Sequence, residues 1–122
     1  MQSFRTAILA AFACVLAATA ACAHAFLNHA VPAVGANISG SPGELELVFT
    51  QNIVPAFSGV EISAAGGGAI AAAKAVADPA NPAVLHVRLG QPLRPGVYVV
   101  NWHVVSVDTH KSSGSYKFTV AP

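Results

Sequence analysis

The chain has 122 residues, of which 54% are hydrophobic and only 9% charged, and its formal net charge is +1. That is enough for about one small domain. The near-neutral balance, with no basic run, argues against nucleic acid as a partner and against electrostatic attachment to anionic membranes.

Arg5 precedes an apolar run over residues 7–16, which gives way to small residues ending in Ala21-Cys22-Ala23. This is the layout of a secretory signal peptide cleaved after Ala23. The run dilutes into alanine and Thr19 too early for a spanning helix, which needs about 20 apolar residues. Acylation of Cys22 is the competing outcome, but Thr19 stands where the lipobox pattern usually has leucine. The expected division is therefore 1–23, signal peptide, and 24–122, a single exported domain in the periplasm, not inserted in the membrane after cleavage. Cys14 and Cys22 both lie in the leader, so the domain must rely on an apolar core without a disulfide. Loss of Arg5 leaves Lys74, Arg88, Arg94, Lys111 and Lys117 balanced against Glu44, Glu46, Glu61, Asp78 and Asp108.

Along the domain, a first strand is expected near residues 25–30. Apolar residues alternate with polar ones at Leu45, Leu47 and Phe49, at Val60 and Ile62, and at Tyr116, Phe118 and Val120, the period of strands with one buried face. Gly66-Gly67-Gly68 reads as a turn, since no phosphate-cradling helix pattern follows it. The alanine-rich segment 69–77 suits a helix by composition, but its place among short strands favours a weak strand. Segments 84–89 and 97–105 are rich in branched residues and follow the turn signals Asn81-Pro82 and Arg94-Pro95-Gly96. Tyr98 and Trp102 share parity with Val100 and Val104, which places them in the core. About seven short strands with frequent turns predict an all-β Greek-key sandwich.

The chemistry lies at two distant points. Cleavage would leave His24 first, and its α-amine and imidazole Nδ1 can close one chelate ring on a metal. Val107-Asp108-Thr109-His110 follows the 97–105 strand and offers a carboxylate and an imidazole at spacing two, on one side if the segment is extended. Two or three nitrogens with one carboxylate oxygen suit tetragonal Cu(II) best among common divalent ions. The domain has no cysteine, and Met1 leaves with the leader, so soft sulfur ligands for Cu(I) are missing. By itself Asp-x-His is common in solvated loops; its coincidence with a histidine at the expected terminus gives it weight.

Taken together, His24-Ala25-Phe26-Leu27, Pro32-Ala33-x-Gly35, Phe49-Thr50-Gln51-Asn52-Ile53, Phe57-Ser58-Gly59, Pro92-Leu93-x-Pro95-Gly96-x-Tyr98, Trp102 and Val105-Ser106-x-Asp108-x-His110 resemble the CopC copper-resistance family across essentially the whole domain. The resemblance implies an immunoglobulin-like Greek-key β-barrel acting as a periplasmic copper carrier, often beside the membrane copper transporter CopD. It also implies that one Cu(II) ion is held by His24, Asp108 and His110. Some members hold Cu(I) in a methionine-rich loop; the counterpart here, 64–77, has no methionine, which implies a Cu(II)-only member. The family commonly has a glutamate near copper where Gln51 stands. A glutamine can orient a ligand by hydrogen bonding but supplies no charge.

Of the remaining histidines, His86 alternates with Leu85 and Val87 and is expected to face solvent without a ligand role. His29 and His103 are auxiliary candidates. A monomer is expected. Two other functions compete with the carrier. An amino-terminal histidine with a second histidine also forms the brace of oxidative polysaccharide-cleaving copper enzymes, but Asp108 would fill a position those enzymes keep open, and so small a domain offers little flat surface for a polysaccharide. A structural immunoglobulin-like module with incidental histidines is the third reading, which fold alone does not separate from the first.

Overall fold

The computed structural model describes residues 25–122. Within them the chain forms eight strands: β1 (Leu27–Val31), β2 (Asn37–Ser39), β3 (Glu44–Phe49), β4 (Gly59–Ala64), β5 (Val76–Asp78), β6 (Asn81–Arg88), β7 (Gly96–Val105) and β8 (Lys111–Ala121). They make two four-stranded sheets, ordered β1-β3-β6-β5 and β2-β8-β7-β4. Pairing is antiparallel except where β2 runs parallel to β8. The chain changes sheet at every connection except β5 to β6 and β7 to β8. This is the immunoglobulin-like Greek-key sandwich expected from the sequence.

Alternation decides which side chains meet. Leu45, Leu47 and Phe49 of β3 and Leu85 and Val87 of β6 face Tyr98, Val100, Trp102 and Val104 of β7 and Tyr116, Phe118 and Val120 of β8, all of them buried. Full burial of such side chains stabilises by about 1.5–3 kcal/mol each, and this is the main force available to a domain without a disulfide. Trp102 meets Phe49 edge-on at 5.2 Å between ring centroids, joining the sheets, and Tyr98 stacks on Phe118 at 5.7 Å. The Tyr98 hydroxyl donates to the Arg94 carbonyl at 2.6 Å, while the buried Tyr116 hydroxyl has no partner, and burial pushes its pKa up to about 12.

Two features differ from the sequence expectation. There are eight strands, because β2, with only Ile38 half-buried, is too short to show alternation. The segment 69–77 is mostly irregular: isolated bridges join Ser63 to Ala69 and Ala72 to Leu89 before the short β5. Alanine has low strand preference and little side chain to bury, so this stretch is held by backbone bonds, Ile70 N–H to Ile62 O at 2.9 Å and Ala73 N–H to Arg88 O at 2.8 Å.

Candidate metal centre

Trp102, Val104 and Ser106 continue one inward parity along β7 and beyond it, so a hydroxyl occupies a fully buried position at the end of the core. The chain then reverses tightly into β8. The Ser106 N–H donates to His110 O at 3.0 Å, and the Thr109 N–H to Ser106 O at 2.8 Å. Thr109 has φ +72°, the left-handed residue that closes a three-residue hairpin connection.

That reversal brings Asp108 and His110 together. The sequence expectation was an extended segment with both side chains on one side; the proximity is found, but its cause is a turn. His110 Nδ1 lies 3.2 Å from Asp108 Oδ2, with both side chains nearly half exposed. The Ser106 hydroxyl donates to Asp108 Oδ1. This bond, and secondarily the one from His110, holds the Asp108 carboxyl below its usual range, so the group is an anion at neutral pH.

The start of the described chain is fastened beside this hairpin. Ala25 is fully buried, and its carbonyl accepts the Ser112 hydroxyl at 2.6 Å, two residues beyond His110. Phe26 N–H donates to Thr50 Oγ1, and Thr50 N–H returns a bond to Phe26 O, each at 2.9 Å. Segment 51–54 in turn lies along the hairpin: Val107 N–H donates to Asn52 O, Val54 N–H to Val105 O, and Ile53 bridges Ser106. Gln51, half-buried, sits on this segment directly after the Thr50 anchor.

Comparison with known proteins decides the family. A family model, the CopC domain, matches residues 27–121. The chain belongs to the CopC family. It is 39% identical to protein YobA of Escherichia coli strain K12 over 98 residues, 80% of this chain and 79% of the relative. The crystal structure of CopC from Methylosinus trichosporium OB3b superposes with a TM-score of 0.75 at 32% identity, covering 81% of this chain and 95% of that one. PcoC from Escherichia coli, a methionine-rich copper resistance protein, superposes with a TM-score of 0.71 at 33% identity, covering 80% of this chain and 99% of its own.

Within this CopC domain the expected site residues fall into three groups. Asp108 and His110 are in contact, and Gln51 lies on the neighbouring segment. His24 lies outside the described residues, and among those described no three His, Cys, Asp or Glu side chains converge as a metal site. His29 and His103 are not brought to the pair. His29 follows an irregularity in β1 pairing and is exposed opposite Val48. His103 is on the opposite face of β7 from Ser106, across from Gly59, in an open groove of about 370 Å³ with Phe57 and Lys111.

His86 is on the outer face as expected, but it is not simply solvated: its Nδ1 lies 2.9 Å from Glu44 Oε1 and its Nε2 2.8 Å from Asp78 Oδ2. The sequence reading did not single out Ser112, and it noted Thr50 and Ser106 only within motifs. Parity with Trp102 and Val104 is the signal that could have found Ser106, a polar residue at a core position whose hydroxyl needs a partner.

Proposed function

We propose that this CopC-family protein is a periplasmic Cu(II) carrier, formed by removal of residues 1–23 and taking up one copper ion as cargo. The ligands in this reading are the α-amine and imidazole of His24, one oxygen of Asp108 and the imidazole of His110. Gln51 acts through hydrogen bonding, and no reaction is catalysed. The observation that carries the reading is the 3.2 Å approach of Asp108 Oδ2 to His110 Nδ1, with Ala25 fastened to Ser112 alongside.

Two donors bound to one ion at about 2.0 Å and at right angles are about 2.8 Å apart, so the observed pair is close to the spacing of neighbouring corners of a square. The bond from Ser112 to the Ala25 carbonyl, beside the hairpin, supports a ligand role for the residue that would begin the exported protein. Nitrogen and carboxylate donors in such a square favour Cu(II), and the absence of methionine from 64–77 removes the softer alternative. Bound copper would be passed to an acceptor in the same compartment, a CopD-like membrane transporter being the family's implied partner, with the carrier acting as a monomer.

Isothermal titration of protein beginning at His24 is expected to give one Cu(II) per chain, with H110A and D108A each weakening binding at least tenfold. Equal affinity in the native protein and both variants would defeat the assignment.

A further inference from the structure

The buried Ser106 hydroxyl has one proton and two oxygens within reach, Asp108 Oδ1 and, at 3.3 Å, the carbonyl of His110. That carbonyl already accepts the Ser106 N–H at 3.0 Å. A carboxylate is the stronger acceptor, so the hydroxyl proton goes to Oδ1. Ser106 itself cannot turn away, since its backbone is fixed by the bridge to Ile53 and by the bonds to His110 and Thr109, and its side chain is fully enclosed. One carboxylate oxygen is thereby tied to an immobile donor while the other faces His110 Nδ1.

From this geometry we infer that Ser106 is a positioning residue that restricts Asp108 to one-oxygen ligation of copper, presenting Oδ2 and withholding Oδ1. The inference rests on the reading of Asp108 as a Cu(II) ligand and adds the ligation mode and the group that sets it. Without the hydroxyl, the carboxylate is free to rotate about its last bond and offer both oxygens. Partners of this kind, one bond removed from a metal, typically contribute 10–100-fold to affinity.

Two measurements test it. In S106A the Cu(II) electron paramagnetic resonance spectrum is expected to change and affinity to fall about tenfold, whereas S106T, which keeps a hydroxyl, is expected to retain the native spectrum. Native binding and spectrum in S106A overturn the inference while leaving the carrier reading intact, and so does weaker binding with the native spectrum, the mark of a purely structural role. The second measurement needs no variant. The chain has only two aspartates, Asp78 and Asp108, so ¹³C-aspartate labelling lets a copper-minus-apo infrared difference spectrum report Asp108 directly. A wide splitting of the carboxylate bands, the sign of one-oxygen ligation, supports the inference; a narrow splitting overturns it. Failure of the native protein to bind Cu(II) at all would overturn this inference and the carrier reading together.

Discussion

Gly114 shows how strictly the core constrains a single residue. It pairs with Trp102 across the β7–β8 ladder, and a Cβ built there would meet Trp102 Cζ2 at 2.6 Å and Cε2 at 2.9 Å. The indole cannot retreat without losing its edge contact with Phe49, the aromatic link between the sheets. Overpacking of this kind typically costs about 1–3 kcal/mol. Gly114→Ala is therefore expected to lower the unfolding free energy read from urea denaturation by that amount and to alter the emission of the single tryptophan. The alanine variant of Ser115, the next residue in β8, exposed on the outer face, should leave both near native values. If Gly114→Ala matched the Ser115 variant, the close approach of ring and backbone would not exist in solution.

At the scale of elements, His86 ties three strands of one sheet together. It stands on β6 between Glu44 of β3 and Asp78 of β5, with Glu46 opposite it in register and Arg88 paired with Glu44. A neutral imidazole can donate from one nitrogen only; the protonated ring satisfies both carboxylates. The bond to Asp78 is the largest cause raising the His86 pKa above its usual value, helped by Glu44, while partial burial opposes it. The Asp78 carboxyl is correspondingly lowered, first by His86 and then by the Ala80 N–H. The signs follow from linkage. The histidine's contribution is complete below about 6.5, its unfolded value, and is lost as pH rises through the raised folded value. The aspartate's is present above about 3.9 and fades as pH falls through the lowered one. The edge strand β5 should thus be held best between roughly pH 4 and 6.5. Raising pH from 6 to 9 is expected to speed hydrogen exchange at β5 amides beyond the intrinsic base catalysis, and His86→Gln should remove that excess. An identical pH profile in the variant would show that the clamp contributes nothing. Parity in the sequence placed His86 outside, but its two carboxylates come from strands paired across β6, a relation that exists only once β3 and β5 have found their register. Segment 69–77 was obscure for a different reason: its alanines bury too little to reveal a face. The alternation at 45–49, 60–62 and 116–120 was legible because one residue in two is large and apolar, and 97–105 because it is rich in branched residues after a turn signal.

For the molecule as a whole, the candidate site was legible as residue types and not as geometry. Asp108 and His110 stand out as chemistry. The left-handed Thr109 that joins them, the buried Ser106 behind them and the Ser112 bond to Ala25 depend on how β7, β8 and the first strand close around one end of the sandwich. In the proposed carrier copper would be coupled to stability, because the proposed ligands lie far apart in the sequence and would act together only in the folded chain. A ligand bound only by the native chain stabilises it by RT ln(1 + [L]/Kd), about 2.7 kcal/mol at a hundredfold excess over Kd. For a domain of this size each kcal/mol raises the midpoint by roughly 4–8 °C. Protein beginning at His24 is therefore expected to gain about 10–20 °C with Cu(II) near neutral pH. The gain should shrink toward pH 5 as protons compete with copper for the amine and imidazole nitrogens. Protein carrying one extra residue before His24 loses the six-membered amine-imidazole chelate and should gain much less, with its apo melting temperature expected to stay the same. Scanning calorimetry of the two forms at pH 7.5 and pH 5 separates these outcomes, and an equal copper-induced shift in both would exclude the terminal amine as a ligand.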